Sequence, residues 1–493
     1  MKFSKQAYQV FLLLIVVIFS IPLSPSFDGI GADKQVFIYG AMTIWKGGVP
    51  YKDFFDHKPP LIFLILALGW PLKAWGYFII AILSKWIAGM FIYKAANKLE
   101  VKCSWAFPVI FFIFLLCPSL LMAGSLTREY AACFLAILFS VILINPGKRY
   151  LLSGILCGLI FQTQQEELFL AFPIVIWHLV SQSNGSFYFK WNMFIKRAWL
   201  MLLGFLIISV PLIVWIAAKG ALSDYWEQTF IFNLFVYGSK RPFFYKITGT
   251  LSVLFHTRYL FFVFPALAIH LYYIVKKRNV ALHLVIFSTL IIALWAKAFL
   301  GRIIDFVAIY HYLLTFSAIV TFSILIIAKE WNKLFKANIL PYVYLLFIAG
   351  LFFVFWKNSF SYVKNLKRSY ASKQVEKLVA ELQEVKNKDG HLFVMGNTSF
   401  LAVNNRLNCM SPSKWIYTTQ FSQSLNFDTD GQLVKKIIAD IDKNKTRYIL
   451  DFYLIQPVKS KIFQAGWEQY LNTTYKEVSR DKDYILFKRI ADE

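Results

Sequence analysis

The sequence predicts an α-helical polytopic membrane protein with a small C-terminal α/β soluble domain. Of its 493 residues, 58% are hydrophobic. Apolar runs of about twenty residues recur along the chain, and an α-helix needs about this length to cross a bilayer. After Trp356 the composition changes, and short helical and strand-like patterns replace the apolar runs. The predicted domains are therefore residues 1–357, in the membrane, and residues 358–493, outside it.

Eleven apolar segments are predicted to span the membrane. They are centred near residues 15, 87, 113, 137, 157, 175, 207, 267, 289, 317 and 347. The first resembles a signal peptide, but it lacks a small-residue cleavage site and many apolar segments follow, so an uncleaved helix is expected. The segment PPLIFLILALGW, residues 59–70, has an apolar run of only about ten residues, which is too short to span upright.

Basic residues decide the orientation, because Lys and Arg in short loops stay on the cytoplasmic side. With the N-terminus inside, eleven spans place every strong basic cluster inside, including those at residues 94–102 and 276–278. Counting residues 59–70 as a twelfth span would invert these clusters. That segment is therefore predicted to lie along the outer surface, with its prolines starting a short helix. The loops 24–60 and 219–258 and the C-terminal domain are then extracytoplasmic.

Charge and cysteine content exclude some functions. The net charge of +25 would fit nucleic-acid binding, but the basic residues lie between apolar segments, as orientation signals and contacts to anionic lipid do. We therefore expect membrane lipid as a partner and no nucleic acid. The five cysteines form no CxxC pair, so neither a disulfide framework nor a cysteine metal site is predicted.

Charge is concentrated in VPYKDFFDHKPPL, residues 49–61, where Asp56, His57 and Lys58 precede two prolines. A cation at the lipid interface can bind a lipid phosphate and stabilise it as a leaving group, so Lys58 either does this or only contacts headgroups. Asp33, earlier in the same predicted outer loop, is either a general base or a solvated loop carboxylate.

Three further polar segments fall on the same predicted face: SLTREY, QTQQEE and GRIIDFVAIYHY. Glu129 begins a span, where it can cap the helix, act in catalysis or do both. His311 can bind phosphate or sit in an aromatic belt. The candidate residues in these segments are Arg128, Glu129, Gln164, Glu166, Arg302 and His311.

Known catalytic signatures for soluble donors are missing from the sequence. It contains no Walker loop, no GxSxG and no HExxH. A soluble nucleotide-sugar enzyme is therefore disfavoured, and any donor is expected to arrive from the membrane. The C-terminal domain has no Gly-rich phosphate loop after a strand, so a structural or acceptor-docking role is expected for it.

The stretch ADKQVFIYGAMTIWKGGVPYKDFFDHKPPLIFLI resembles the first outer loop of bacterial GT-C glycosyltransferases, relatives of protein O-mannosyltransferases and of the lipid A aminoarabinose transferase. The match is strongest from Gly47 to Leu61, and the other polar segments fall in family order. The resemblance implies a GT-C-like bundle of about eleven transmembrane helices, with juxtamembrane helices in the first outer loop. It also implies a bacterial inner-membrane location, with the active site and the C-terminal domain on the periplasmic side.

The resemblance implies an inverting glycosyltransferase that moves a sugar from a polyprenyl-phosphate-linked donor to a hydroxyl of an extracytoplasmic lipid, glycan or protein. Asp33 would be the general base, with Asp28 as the second candidate. Lys58 would bind the donor phosphate, with Arg302 and His311 as weaker candidates. The acceptor side of the cavity would be lined by Glu129, together with Arg128, Asp56, His57, Gln164 and Glu166.

Two positions depart from the family pattern. Lys34 stands where Glu often follows the Asp, which disfavours a two-carboxylate metal site. No cofactor is predicted, although a divalent metal stays open. Gln164 stands where relatives commonly have Lys, which removes a phosphate cation or indicates a different donor headgroup.

Two alternative functions stay open. A transporter or flippase of lipid-linked saccharides predicts charged or broken helices at mid-depth of the bilayer. A polymerase or ligase of such saccharides would use similar outer cations but no essential Asp33.

Overall fold

Apolar helices make up most of the chain before residue 357 in this computed structural model. The structure describes residues 5–27, 30–121, 123–146, 148–181, 189–237, 242–299, 310–332, 339–357, 370–416, 431–452 and 461–490. The helices up to residue 357 are α1 (Lys5–Ser20), α2 (Ala32–Trp45), α3 (Leu61–Gly69), α4 (Lys73–Lys98), α5 (Ala106–Leu115), α6 (Pro118–Leu121), α7 (Thr127–Ile144), α8 (Tyr150–Thr163), α9 (Leu168–Val180), α10 (Trp191–Ala218), α11 (Leu222–Trp226), a π-helix (Glu227–Tyr237), α12 (Phe243–His256), α13 (Leu260–Val275), α14 (Val280–Phe299), α15 (Phe316–Trp331) and α16 (Leu340–Trp356).

A helix lies at each of the eleven predicted span centres, which confirms the predicted helical fold. Five stretches of the described chain are both long and apolar enough to cross a bilayer, and the pair α12 and α13, bent by 106°, would add a sixth. Helices α5, α8 and α16 are apolar but shorter. These helices make the chain a multi-pass membrane protein. The five stretches are Gln6–Leu23, Leu61–Lys98, Thr127–Ile144, Trp191–Ala218 and Val280–Phe299.

The loop between α1 and α4 contains the two predicted juxtamembrane helices, α2 and α3. Helix α3 begins at Leu61, directly after the second proline, as predicted. It packs against α2, where Gly40 has no Cβ to displace Phe63; a Cβ there would lie 2.5 Å from that ring. A 3₁₀ turn and a positive φ of 50° at Lys73 separate α3 from α4. The apolar stretch Leu61–Lys98 is therefore broken, and its first part belongs with α2.

The chain divides into two compact units. The first unit contains Met1–Asp28, Ala74–Ile213 and Gly238–Lys364, and so holds most of the long apolar helices. The second unit contains Gly29–Lys73, Val214–Tyr237 and Asn365–Glu493. It combines α2, α3 and the π-helix with the C-terminal residues. The predicted boundary between residues 357 and 358 stays a prediction.

The C-terminal region forms the predicted small α/β domain. Its strands are β1 (Leu392–Met395), β2 (Tyr448–Asp451), β3 (Tyr475–Arg480) and β4 (Ile485–Arg489), and its helices are α17 (Tyr370–Glu381), α18 (Leu401–Leu407), α19 (Gln432–Lys443) and α20 (Lys461–Thr474). The sheet order is β1-β2-β4-β3, with β1 parallel to β2 and the other pairs antiparallel. The four strands coincide with the runs HLFVMG, RYILDFYL, YKEVS and YILFKRI, which the sequence predicts as strands, and the three long helices overlap segments of helical periodicity.

One face of α2 is attached to this domain within the second unit. The side-chain amide of Asn405 donates to the backbone carbonyl and the side-chain oxygen of Gln35, each at 3.0 Å. One turn further along, the backbone N–H of Ser411 donates to the Tyr39 hydroxyl at 2.7 Å. The N-terminal part of α2, which carries Asp33, is therefore held by residues almost four hundred positions away in sequence.

Candidate active site

The charged end of the loop between α2 and α3 is buried. Asp56 is 1% exposed, His57 3% and Lys58 8%. Charged side chains are almost never this buried unless they have partners or a function. The segment is therefore packed inside the second unit and is not a solvent-exposed loop.

A strained turn leads into this segment. Gly47 has a φ of +85°, and a Cβ on Gly48 would lie 2.9 Å from Asp53 Oδ2, which accepts the backbone N–H of Val49 at 2.6 Å. Asp53 is therefore a turn cap. Tyr51 has a φ of +76°, which costs a bulky residue about 1–3 kcal/mol. Its buried hydroxyl donates to the carbonyl of Lys58 at 2.8 Å, which ties the two ends of the loop together.

The π-helix holds the backbone of the same segment. The Gln228 side chain accepts the N–H of Asp56 at 3.1 Å and donates to the carbonyl of Tyr51 at 2.8 Å. The Asn233 side chain donates to the carbonyl of His57 at 2.9 Å. In a π-helix each N–H bonds five residues back, so residues five apart lie on nearly the same face, and such segments are frequent at functional sites. This winding lets Gln228 and Asn233 act together.

The carboxyl group of Asp56 is buried and has a raised pKa. Its Oδ1 accepts the backbone N–H of Lys58 at 2.9 Å and lies 3.6 Å from His57 Nδ1. Its Oδ2 is buried and has no hydrogen-bond partner among the described residues. The pKa of Asp56 is raised to about 7, mainly by burial and also by the charge of Asp33, against the lowering effect of Lys58. The charge of Asp33 therefore acts on the Asp56 carboxyl group.

Asp33 lies in the first turn of α2, directly after Gly31 and Ala32, and is partly buried. The unpaired N–H groups at a helix N-terminus favour a negatively charged side chain there. The second unit thus contains Asp33, Asp56, His57 and Lys58, and the charge of Asp33 acts on Asp56. Such a set can take up a proton and offset the charge of a phosphate. Their catalytic roles stay predictions.

Replacing Asp56 with Asn should flatten the dependence of stability on pH. The pKa of Asp56 in the folded protein lies above that of an exposed Asp, so the folded state binds this proton more tightly between about pH 4 and 7. Stability should fall as the pH rises through this window, and the loss should be complete above about pH 7. Asn has nearly the shape of the protonated carboxyl group and cannot ionise.

The measurement is the thermal unfolding midpoint of both proteins from pH 4 to 8. At pH 8 the Asp56→Asn variant should unfold at least about 2 °C higher than the wild type, and at pH 4 the two should agree. A constant difference across the whole range would contradict a raised Asp56 pKa.

Of the other predicted site residues, Arg128, Glu129, Gln164 and Glu166 lie in a cluster of ion pairs and hydrogen bonds in the first unit, the ion network. Glu129 pairs with Lys85, both 1% exposed. Arg128 pairs with Glu166, and its Nε lies 3.3 Å from Glu167, which also pairs with Lys297. Gln164 accepts the Thr127 hydroxyl at 2.6 Å. Three cations balance three carboxylates, which buried charges require in order to be stable.

Glu129 has two local tasks in this network. One oxygen meets Lys85, and the other accepts the backbone N–H of Leu126 at 3.3 Å, which caps the start of α7. The side chain is completely buried. The capping role expected from the sequence is therefore present, while the role of Glu129 on the acceptor side stays a prediction.

Of the two weaker phosphate-binding candidates, the structure describes His311. Tyr312 lies under the Arg128 guanidinium at 3.6 Å, and His311, 8% exposed, contacts the Tyr312 ring, so His311 is next to the ion network. Arg302 and Asp28 lie outside the described residues. Within the described ranges, no group of three His, Cys, Asp or Glu side chains is placed to hold a metal ion.

Several residues of these sites were not predicted from the sequence. Lys85 and Lys297 each stand alone in an apolar run, which is itself a signal that a charge inside a membrane helix has a partner or a function. Gln228 and Asn233 belong to the segment YWEQTFIFN of the predicted outer loop 219–258, but neither residue is singled out by the sequence. Their contacts depend on long-range folding and carry no local signal.

The chain combines apolar membrane-spanning helices, a helical insertion in its first loop and a C-terminal α/β domain. The chain has the fold of ArnT from Cupriavidus metallidurans. The crystal structure of ArnT bound to undecaprenyl phosphate matches with a TM-score of 0.63 and 12% identity over 98% of each chain. The structure of ArnT in the apo state matches with a TM-score of 0.59 and 12% identity over 99% of each chain. No family model matches the sequence, and no curated protein matches it either.

Proposed function

We propose that this protein is an integral-membrane glycosyltransferase that moves a sugar from a polyprenyl-phosphate-linked donor to a hydroxyl group of an extracytoplasmic lipid, glycan or protein. The observation that carries the proposal is the buried Asp56-His57-Lys58 segment, on which the charge of Asp33 acts. It occurs in a chain that shares its fold with ArnT, a lipid A aminoarabinose transferase that binds undecaprenyl phosphate. A buried lysine next to Asp56, in the same unit as Asp33, suits a reaction that needs both a base and a cation.

The proposed reaction is a direct displacement at the anomeric carbon. The acceptor hydroxyl gives its proton to Asp33 while its oxygen bonds to that carbon. The bond from the carbon to the donor phosphate oxygen breaks, and the electron pair leaves with the polyprenyl phosphate. Lys58 offsets the charge of the departing phosphate. Attack from the side opposite the leaving group inverts the anomeric configuration.

Each remaining candidate has a subordinate role in this proposal. His311 and Arg302 are further cations for the donor phosphate. Asp56 and His57 are assigned to the acceptor, and Glu129, Arg128, Gln164 and Glu166 are further candidates for the acceptor. No step is assigned to a metal ion.

The proposed location is the bacterial inner membrane, with the active site and the C-terminal domain on the periplasmic side. A lipid-linked donor enters from the bilayer and a polar acceptor from water, so the reacting atoms should meet at the membrane edge. The distribution of basic residues supports this orientation.

A transporter is the second candidate because Lys85 lies midway along α4 and is buried. A charge at mid-depth of a helix is typical of transport pathways. Its partner Glu129 lies in the first turn of α7, however, so the pair is at the end of that helix. This position favours the enzyme.

The test is a transfer assay with purified protein in lipid nanodiscs. A set of polyprenyl-phosphate sugars labelled in the sugar is supplied with lipid, glycan and peptide acceptors. We expect one donor to yield labelled product together with an equal amount of polyprenyl phosphate, and the product should have the inverted configuration. Translocation of intact donor across proteoliposomes, without cleavage, would replace the proposal by the transporter.

A further inference from the structure

The C-terminal domain touches the candidate active site through the loop of residues 411–416. The backbone N–H of Phe55 donates to the carbonyl of Lys414 at 2.7 Å. The rings of Phe55 and Trp415 are stacked, with centroids 5.4 Å apart and planes inclined by 28°. Phe55 directly precedes Asp56, so the domain holds the chain one residue away from the buried charges.

Phe55 is held on a second side by the π-helix. The ring of Phe232 meets the Phe55 ring edge-on at 5.2 Å, and it also contacts the His57 ring at 6.0 Å. Phe55 is 5% exposed. It therefore sits between an aromatic residue of the C-terminal domain and one of the π-helix.

Trp415 connects Phe55 to the interior of the C-terminal domain. It packs against the hydrophobic core that includes Phe393, Ile449 and Trp467, and Tyr470 packs against the same core from elsewhere. The neighbouring Lys414 pairs with Asp224 of α11 at 2.7 Å, but both side chains are 29% exposed, so this pair contributes little energy. The stacked rings of Phe55 and Trp415 are therefore the rigid link between the loop and the C-terminal domain.

We propose that residues 411–416, with Trp415 as the main positioning residue, set the position of Asp56, His57 and Lys58 in the sugar-transfer site. This inference rests on the proposed function and gives the C-terminal domain a part in it. Loss of the Trp415 ring would leave Phe55 with a cavity on one side, and the loop would relax toward it. A displacement of about 1 Å at a reacting group can cost about a hundredfold in rate.

The test compares Trp415→Ala with Trp415→Phe and with Tyr470→Ala in the full-length protein. Tyr470→Ala is the matched control, because Tyr470 supports the same core while its described contacts are to Trp467, Tyr475 and Asp442. Two quantities are measured: amide hydrogen exchange of peptides covering residues 54–58, and kcat for sugar transfer. Thermal unfolding midpoints show whether the two alanine variants weaken the domain equally.

We expect Trp415→Ala to speed exchange in residues 54–58 by at least about tenfold and to lower kcat by about tenfold or more. Trp415→Phe should restore most of both, and Tyr470→Ala should change neither by more than about twofold at an equal loss of midpoint. Equal exchange in the two alanine variants would overturn the inference. A wild-type protein without transfer contradicts the proposed function alone, since the exchange comparison still decides whether the loop holds the segment.

Discussion

Asp33→Asn should lower kcat for sugar transfer by about 10²- to 10⁴-fold, the range that a positioned general base contributes. Asn has nearly the same size and can occupy the first turn of α2, but it cannot take a proton from the acceptor. The donor phosphate is assigned to Lys58, so donor binding should be unchanged. Single-turnover transfer at saturating donor measures the effect on the chemical step.

Asp53→Asn is the matched control for this prediction. Asp53 lies in the same unit, and its Oδ2 accepts only a turn hydrogen bond from Val49, which the Asn side-chain oxygen can also accept. This variant should keep transfer within about twofold of the wild type. Equal losses in the two variants would mean that the loop needs its net charge and that Asp33 has no special role.

Lys297→Met should destabilise the first unit by about 3–5 kcal/mol, the cost of breaking a buried ion pair by removing one partner. Lys297 is 1% exposed and its partner Glu167 is fully buried, so Glu167 would keep only Arg128 to offset its charge. Glu167→Gln should be destabilising by a similar amount, because two buried cations would lose their shared carboxylate. Thermal unfolding in detergent measures both variants.

The double variant distinguishes an ion pair from a packing effect. Lys297→Met combined with Glu167→Gln removes one charge of each sign, so it should be clearly more stable than the sum of the single losses predicts. Lys377→Met is the surface control, because the Lys377–Glu381 pair is 52% and 40% exposed and should be worth less than about 1 kcal/mol. Additive losses at positions 297 and 167 would contradict the network.

Local patterns were sufficient to predict much of the fold. Apolar length predicted helices such as α7 and α14, because a membrane span needs a fixed number of apolar residues. The two prolines predicted the start of α3, since proline fits the first turn of a helix. The short apolar runs HLFVMG and RYILDFYL predicted the strands around Leu392 and Tyr448. Each of these features depends on residues close together in sequence.

The site was predictable only in part. The motif around Lys58 predicted that charge gathers in one loop, and the charge of Asp33 raises the pKa of Asp56. That this charged loop is buried was not predictable, because burial depends on Gln228 and Trp415, which are more than 150 positions away. The pairing of Lys85 with Glu129 had a local signal, a lone cation in an apolar helix, but its partner could not be read from spacing.

The C-terminal domain contacts the segments that carry the candidate active-site residues. Residues 29–73 group with the C-terminal residues in one compact unit, and contacts from α2 and from Phe55 both reach that domain. A domain that was predicted to be a structural or docking module is therefore attached to the segment that carries the candidate active-site residues. Truncation before residue 365 should consequently alter the loop of residues 49–58 as well as remove the domain.

The most direct test of the central claim separates donor binding from chemistry at Lys58 and Asp33. Equilibrium binding of undecaprenyl phosphate and single-turnover sugar transfer are measured on the same preparations of wild type, Lys58→Ala, Asp33→Asn and the exposed control Lys52→Ala. Lys58→Ala should bind at least about tenfold more weakly, as expected for loss of a hydrogen bond to a charged group. Asp33→Asn should bind normally and fail to transfer. Lys52→Ala should bind the lipid and transfer the sugar as the wild type does. Normal binding by Lys58→Ala together with normal transfer by Asp33→Asn would contradict the account.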